Sequence, residues 1–199
     1  MRDRKNPRIW TTKTFDRLSP YYDRFMKLFF PIGETGREKI VEKLTTGTLL
    51  DVACGTGTLL AMAREKGLKC YGVDLSGGML AQAQRKVPNA EFQRGSFYRL
   101  PYAEGSFDQV VATNALSGDA IDAGEALREM VRVCKTGGRI YIAEWPKTDD
   151  ESITEKIVIW LASLNDDAPQ DYFGMFREMG YEPEVDALDK RYHIFAIRK

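Results

Sequence analysis

One short run, Leu49-Leu50-Asp51-Val52-Ala53-Cys54-Gly55-Thr56-Gly57-Thr58, constrains the fold of this chain more than any other segment. Its apolar first half predicts a buried strand, and the residues from Thr58 onward predict a helix. The two glycines allow the backbone to turn sharply and to approach a ligand closely, and the unpaired N–H groups at the helix start favour an anionic group. The run therefore predicts a strand, a binding loop and a helix in direct succession.

The loop lacks one element of the dinucleotide-binding fingerprint. That fingerprint, G-x-G-x-x-G, needs a third glycine for close packing of the helix against the strand. Leu60 stands at the third position, and an acidic residue, Asp51, precedes the glycines. Together these features favour a ligand that carries both a carboxylate and an ammonium group over a pyrophosphate. S-adenosylmethionine is such a ligand.

A second strand also ends in an acidic residue. Asp74 follows Gly57 by 17 positions, a spacing that fits one strand-helix-strand unit. A carboxylate at the carboxyl end of such a strand can accept hydrogen bonds from both ribose hydroxyls of a nucleoside. Ser76 is the predicted N-cap of the helix that follows.

The rest of the chain repeats the alternation of strands and helices. The predicted parallel strands lie near residues 47–53, 69–74, 90–94, 107–113 and 138–144. An amphipathic helix is predicted over 123–134, and a later helix is predicted to start near Pro169 and to stop at Gly180. Segments 181–187 and 192–198 predict a terminal hairpin. This order is typical of a doubly wound α/β sheet.

Taken together over roughly residues 47 to 145, these motifs resemble those of the class I S-adenosylmethionine-dependent methyltransferases. The run around Asp51 is similar to the first motif of that family, and the segment 74–80 is similar to its second. The resemblance implies a Rossmann-like seven-stranded sheet in the order 3-2-1-4-5-7-6, with an antiparallel last strand and helices on both faces. It also implies S-adenosyl-L-methionine as the cofactor and S-adenosyl-L-homocysteine as the product. No metal is expected, because the chain has no metal-ligand spacing and only one histidine.

The resemblance also indicates which residues contact the cofactor. The expected cofactor-binding residues are Tyr22, Asp51, Ala53, Gly55, Thr56, Gly57, Asp74, Leu75, Met79, Ser96, Phe97 and Asn114. Ser96 departs from the family pattern, because many relatives have Asp or Asn there to accept a hydrogen bond from the adenine amine. The serine hydroxyl, or the backbone around Phe97, is expected to take over that contact.

The sequence marks no residue as the catalytic base, so the catalytic residue stays unknown. The candidates are Glu144 at a strand end, and Tyr21 and Asp23 in the aromatic N-terminal segment; His193 in the last strand is expected to be structural. Methyl transfer from a sulfonium is an in-line displacement, and holding the two reactants in line supplies much of its acceleration. Only an acceptor that must lose a proton also needs a base.

Residues 1–46 lie outside the strand pattern and predict a helical lid of one or two helices over the cofactor. They contain eleven basic and six acidic side chains, a net charge of +5 in a chain whose total is zero. The spacing of Phe15, Tyr22 and Met26 resembles the start of the ubiquinone and menaquinone biosynthesis C-methyltransferases. Gly33 and Gly36 are interpreted as hinges of this lid.

The lid is also rich in aromatic residues that lie close to Arg17, Arg24 and Lys27. This combination is consistent with a peripheral contact with a membrane surface. The lid precedes a cofactor-binding core over 47–145 and a C-terminal part over 146–199 of one domain. The C-terminal part is predicted to contain a helix within 146–167.

The composition limits the class of protein. A chain of 199 residues with 43% apolar content can bury one core, and its equal numbers of basic and acidic residues, 29 each, do not favour a nucleic-acid partner. No stretch approaches the ~20 apolar residues of a membrane span, and no signal peptide is recognisable, which predicts a cytoplasmic protein. Cys54, Cys70 and Cys134 are expected to be buried thiols.

The predicted function is methyl transfer to an unidentified small-molecule acceptor. Two alternatives remain at this stage: methylation of a protein or other macromolecule, and binding of S-adenosylmethionine without catalysis. An oxidoreductase is disfavoured by Leu60, which occupies the place of the third glycine of a dinucleotide site.

Overall fold

Seven strands form one sheet in the computed structural model, which describes residues 11–29, 32–117, 121–144, 170–188 and 192–199. The strands are β1 (Thr48–Val52), β2 (Lys69–Asp74), β3 (Glu91–Arg94), β4 (Phe107–Thr113), β5 (Cys134–Glu144), β6 (Glu184–Ala187) and β7 (His193–Arg198). Their order is β3-β2-β1-β4-β5-β7-β6. Strands β1 to β5 pair in parallel, whereas β7 pairs antiparallel with both β5 and β6. The predicted order and the antiparallel last strand are confirmed.

Helices cover both faces of this sheet. They are α1 (Thr12–Leu18), α2 (Tyr22–Phe29), α3 (Ile32–Lys43), α4 (Thr58–Glu65), α5 (Gly77–Lys86), α6 (Ala123–Val133) and α7 (Tyr172–Glu178). One apolar cluster joins the sheet to α6 and α7 through residues such as Leu127 and Phe176. A second cluster joins it to α3 and α4 through Ile40 and Leu60. Leu60 is fully buried, so the position where a dinucleotide site needs glycine is used for core packing.

Side-chain caps determine where several helices begin. The Ser76 hydroxyl accepts a hydrogen bond from the Met79 N–H at 3.1 Å, which confirms the predicted N-cap of α5. The predicted start of the late helix at Pro169 is wrong: the Asp171 carboxylate accepts from the Gly174 N–H at 2.8 Å, and α7 begins one residue after Asp171. The stop at Gly180, with a φ of +87°, agrees with the prediction.

Strand β5 starts four residues before the predicted start at residue 138. Cys134 already pairs with Phe107, and the register with β4 then shifts between Phe107 and Gln109. The irregular stretch is anchored by Lys135, whose ammonium donates to Asp108 at 2.7 Å. A sequence pattern of period two does not reveal such a bulge, because the extra residues break the alternation.

The N-terminal segment divides differently from the prediction. It contains three helices up to Lys43, of which α1 and α2 are separate from the core, whereas α3 belongs to the layer that packs on the sheet. Gly33 and Gly36 lie inside α3, so they are not hinges between the lid and the domain. A Cβ atom at Gly33 would lie 3.0 Å from Asn114 Nδ2, and one at Gly36 would overlap the Tyr192 ring. Both glycines therefore allow α3 to approach the sheet closely.

The predicted helix within 146–167 lies outside the described residues. The three cysteines are free and buried, as expected. None of the described helices is both long and apolar enough to cross a bilayer.

Candidate cofactor site

The chain makes two strained turns at the same edge of the sheet. Ala53 follows β1 with a φ of 56°, and Asn114 follows β4 with a φ of 52°, and these are the only non-glycine residues with positive φ in the described part of the chain. Residues other than glycine rarely adopt a positive φ, and such a strained backbone is found mainly at functional sites. Strands β1 and β4 are neighbours, and the order of the parallel strands reverses between them. Ligands of open α/β sheets bind at such a reversal.

A cavity of about 350 Å³ opens at this edge, between the strand ends and helices α2 and α3. Its lining includes six of the twelve expected cofactor residues, namely Tyr22, Asp51, Ala53, Gly55, Thr56 and Asn114. The other six lie outside this lining, along the turns beside α4, β2, β3 and α5: Gly57, Asp74, Leu75, Met79, Ser96 and Phe97. The structure thus separates the expected site into a cavity and an adjoining surface.

Asp51 is the most deeply buried carboxylate of the cavity, with 2% of its surface exposed. Its Oδ1 atom has no hydrogen-bond partner within the described residues. Burial raises the pKa of Asp51 to about 8; the positive charge of Arg37 opposes this rise and the negative charge of Asp74 adds to it. Once it is ionised, a carboxylate placed in this way can accept a hydrogen bond from a bound ligand.

Arg37 is one of the cavity residues that the sequence analysis missed. It lies on α3, and its Nε atom is buried without a partner among the described residues. No sequence motif marks it, because only the packing of α3 against the sheet brings it to the cavity. The Nδ2 atom of Asn114 is likewise buried and forms no hydrogen bond of normal geometry in the described structure, although the amide is close enough to the Tyr192 hydroxyl to offset part of the rise that burial causes in the pKa of that phenol. Among its buried atoms, the cavity therefore presents two donors and one acceptor that are unused.

Asp74 holds the first loop against the end of β2. Its Oδ2 accepts from the Gly55 N–H at 2.9 Å and its Oδ1 accepts from the Ser76 N–H at 2.8 Å. Burial raises the pKa of Asp74, and these hydrogen bonds only partly offset that rise. Since each carboxylate oxygen has two lone pairs, both oxygens can still accept a further hydrogen bond.

The other expected cofactor residues near Asp74 differ in how far they are exposed and in what they contact. Leu75 is 46% exposed beside Asp74, whereas Met79 is buried in α5. Ser96 accepts a hydrogen bond from the Tyr98 N–H at 3.2 Å, and the Phe97 ring packs edge-on against Tyr98. Gly57 permits close packing, since a Cβ there would lie 3.0 Å from that of Ala83.

The structure separates the candidate bases by their surroundings. Glu144 is 1% exposed and accepts from the N–H groups of Ala115 and Leu116, so it fixes the loop after β4. Tyr21 is 72% exposed and lies outside the cavity lining. His193 is paired in register with Glu144 and lines a separate cavity of about 170 Å³ beside Tyr172 and Phe195.

Asp23 does line the main cavity, and it connects α2 to the domain. Its carboxylate forms an ion pair with Lys86 at 2.5 Å and accepts a hydrogen bond from the Thr56 hydroxyl. Burial alone would raise the pKa of Asp23, but the hydrogen bonds from Lys86 and Thr56 outweigh it, and the net effect is a lowered pKa. A carboxylate with a lowered pKa is a weak base, so Asp23 is better suited to hold α2 in place.

A second carboxylate holds α1. Asp16 accepts from the Ser76 hydroxyl at 2.6 Å and from the Gly78 N–H at 2.9 Å. Gly78 is needed for this contact, because a Cβ there would lie 2.7 Å from the carbonyl oxygen of Asp16. The lid is thus attached at the start of α5 through Asp16 and at its end through Asp23.

Gly78→Ala is therefore expected to detach α1 while leaving the core intact. Limited proteolysis should cleave the segment before residue 22 several-fold faster in this variant, with little change in the melting temperature. Gly77→Ala is the matched control, since a Cβ at Gly77 meets nothing within 4 Å. Equal cleavage rates in the two variants would contradict this attachment of the lid.

Comparison with known proteins agrees with this geometry. A family model described as a methyltransferase domain matches residues 50–142. The demethylmenaquinone methyltransferase of Chlorobaculum parvum is 38% identical over 140 residues, which are 65% of this chain and 57% of that protein. The ubiquinone/menaquinone biosynthesis C-methyltransferase of Geotalea daltonii is 31% identical over 144 residues, 66% of this chain and 61% of that protein.

The chain spans about three-fifths of the length of these two relatives. Among solved structures, an S-adenosylmethionine-dependent methyltransferase from Thermotoga maritima superposes with a TM-score of 0.74 at 17% identity. The match covers 95% of this chain and 100% of that one, so the two share a fold. Residues 50–142 of the chain match the methyltransferase-domain family, and the chain is similar to the quinone-biosynthesis C-methyltransferases.

Proposed function

We propose that this protein binds S-adenosylmethionine and transfers its methyl group to a small-molecule acceptor. One observation carries the proposal: Arg37 Nε, Asp51 Oδ1 and Asn114 Nδ2 line one cavity and have no hydrogen-bond partner among the described residues. Buried polar groups are costly when they are unpaired, so a site with three of them is suited to a polar ligand. Two donors and one acceptor match the carboxylate and the ammonium of an amino acid.

The roles of the three groups follow from which of them donate hydrogen bonds and which accepts them. Arg37 and Asn114 would donate to the carboxylate of the methionine part, and Asp51 would accept from its ammonium. The positive φ at Ala53 and Gly55 turns the loop around this end of the ligand. The adenosine part would continue from the cavity toward Asp74, with the exposed Leu75 beside its ring and Ser96 and Phe97 at the adenine.

Methyl transfer breaks the bond between the sulfonium sulfur and the methyl carbon, and the acceptor atom forms a new bond to that carbon. The sulfur loses its positive charge, and S-adenosylhomocysteine is the product. Tyr22 lies in the cavity, and because burial raises its pKa, its phenol stays neutral and can donate a hydrogen bond to an acceptor or cofactor. This arrangement favours a mechanism based on position over one based on a strong protein base.

The names of the two curated relatives support a small-molecule acceptor. One is a demethylmenaquinone methyltransferase and the other a ubiquinone/menaquinone biosynthesis C-methyltransferase, so both act on small molecules. No observation on the described residues favours a macromolecular acceptor or binding without catalysis.

Calorimetric titration with S-adenosylmethionine, S-adenosylhomocysteine and NADH tests the cofactor. We expect micromolar binding of the first two and none of NADH. Binding of NADH, or of no ligand, would overturn the proposal. A screen of phenolic and quinol acceptors with radiolabelled S-adenosylmethionine then tests the acceptor class, with protein substrates as the contrasting set.

Replacement of Asp74 tests the position of the adenosine part. Asp74→Ala should weaken S-adenosylhomocysteine and 5′-methylthioadenosine alike, by about tenfold or more, because each hydrogen bond to a charged group contributes roughly 1.5 to 3 kcal/mol. Asp74→Asn is measured beside it, since the amide oxygen still accepts one backbone N–H while the charge is lost. Unchanged affinity for both ligands in both variants would refute a ribose site at Asp74.

A further inference from the structure

The outer surface of the lid differs from the rest of the described surface in its exposed apolar side chains. Of the seven large hydrophobic residues exposed in the described part of the chain, four belong to the lid: Leu18, Tyr21, Phe25 and Leu28. Tyr21 and Leu28 are 72% and 70% exposed. Their spacing of seven residues, with Phe25 between them, places the three on one side of α2. We call these four residues the apolar ridge.

The other side of α2 faces inward. Tyr22, Asp23, Arg24, Met26 and Lys27 line the cavity, whereas no residue of the apolar ridge does, so the apolar ridge is not the side of α2 that packs on the domain. The opposite side of α2 is therefore already used by the domain. An exposed apolar patch on the remaining side of such a helix is typical of a site that contacts another protein or a membrane.

The acidic and basic side chains of α1 and α2 differ in their partners. Both acidic side chains of α1 and α2 are engaged with the domain, Asp16 with Ser76 and Gly78, and Asp23 with Lys86. The basic side chains of these helices have no ionic partner among the described residues: Lys13, Arg17, Arg24 and Lys27. Lys13 and Arg17 are exposed on α1 outside the cavity lining and therefore leave positive charge on the outside of the lid, whereas Arg24 and Lys27 also line the cavity.

We propose that the outer surface of the lid docks on an anionic membrane surface. Apolar side chains that enter the boundary between headgroups and acyl chains, beside lysine and arginine that attract anionic lipids, form the usual chemistry of interfacial helices. Tyr21 suits this boundary because its ring is apolar and its hydroxyl is polar. The charge of the lid distinguishes this partner from a second copy of the chain, whose lid would carry the same positive charge.

The proposal has a consequence for the cavity. Helix α2 carries the apolar ridge on one side and forms a wall of the cavity on the other. Docking would therefore place the mouth of the cavity at the membrane surface, where an acceptor that partitions into lipid is concentrated. This consequence rests on the proposed function, whereas the docking itself does not.

Vesicle sedimentation of the full chain without cofactor tests the docking. We expect binding to vesicles of equal parts phosphatidylglycerol and phosphatidylcholine, weak binding to phosphatidylcholine alone, and loss of binding at high salt. Leu28→Asp should lower the partition coefficient by about tenfold or more. The pair Lys13→Gln and Arg17→Gln should lower it by about fivefold for each cation removed. Val185→Asp, at a valine on β6 that is 41% exposed and lies outside the lid, is the control and should bind as the unmodified protein does.

Several results would overturn the docking: no binding to anionic vesicles, equal binding of Leu28→Asp, or equal loss in Val185→Asp. Analytical ultracentrifugation and thermal melting of the same variants identify other occupants. A dimer that Leu28→Asp dissociates would assign the apolar ridge to a second copy, and a large drop in the melting temperature would assign it to the chain itself. Since no cofactor is present, a failure of the proposed function leaves these results unchanged.

Discussion

Replacing Arg37 by methionine is expected to lower the affinity for S-adenosylhomocysteine by at least about 100-fold, because two charge-assisted hydrogen bonds to the ligand carboxylate are lost at roughly 1.5 to 3 kcal/mol each. Methionine keeps the apolar stem of the side chain, so the packing of α3 is largely preserved. The loss of the guanidinium also raises the pKa of Asp51 further, since Arg37 lowers it in the unmodified protein. Asp51 is then less ionised and a poorer partner for the ligand ammonium.

A ligand without the amino-acid part separates this role from a general effect on the fold. 5′-Methylthioadenosine has the adenosine part but neither the carboxylate nor the ammonium, so its affinity should change by less than about twofold. Arg85→Met, a change at an exposed arginine outside the cavity lining, is the matched control. Calorimetric titration of both variants with each of the two ligands measures the affinities to be compared. An equal loss for both ligands would show that Arg37 supports the fold and does not contact the carboxylate.

Asp51→Asn is expected to stabilise the free protein and to weaken cofactor binding. The pKa of Asp51 is about 8 in the folded protein and 3.8 as an ordinary carboxyl group, so the folded state holds the proton more tightly. The stability is therefore greatest below about pH 4 and falls as the pH rises toward about 8. Asparagine cannot ionise, so the Asp51→Asn variant does not lose stability in this way as the pH rises. The variant should gain stability over the unmodified protein with rising pH, by a few kcal/mol near pH 8, since each pKa unit corresponds to ~1.4 kcal/mol.

Unfolding in urea between about pH 5 and 8 measures this difference in the free energy of unfolding. Asp108→Asn provides a control of opposite sign. The hydrogen bond from Lys135, followed by those from Thr48, lowers the pKa of Asp108 to about 2, so its contribution is present at neutral pH and disappears only as the pH falls through that range. Because Asp108 is partly exposed, its replacement should cost no more than about 1 kcal/mol. A gain in both variants, or in neither, would contradict the assignment.

The same pKa makes cofactor binding depend on pH. Asp51 is mainly protonated in the free protein at neutral pH and must ionise to pair with the ligand ammonium, so binding releases a proton. The affinity for S-adenosylhomocysteine should therefore rise by up to about tenfold per pH unit below pH 8, and the Asp51→Asn variant should show a lower affinity without this slope. Calorimetry in buffers of different ionisation enthalpy counts the released proton directly.

The features that the sequence alone determined are local ones. The apolar strand before Asp51, the glycines at 55 and 57 and the cap at Ser76 act over a few residues, so their patterns predict them, and the structure agrees. The strand order followed from the resemblance of these motifs to a family, because no local pattern reports which strands are neighbours. For the late helix, the prediction started the helix near Pro169 and overlooked Asp171 as the N-cap, so the predicted start was wrong by about one turn.

The features that only the tertiary structure decided all depend on contacts between distant segments. Arg37 reaches the cavity because α3 packs on the sheet, and Gly33 and Gly36 serve that packing and do not act as hinges. Glu144 fixes a loop near residue 115, so its place at a strand end did not predict its partners. Likewise, the sequence alone did not determine which side of α2 faces solvent. That side depends on the contact between Asp23 and Lys86, which lie 63 residues apart. Partners this far apart leave no periodic signal in the sequence, since only the folded chain brings them together.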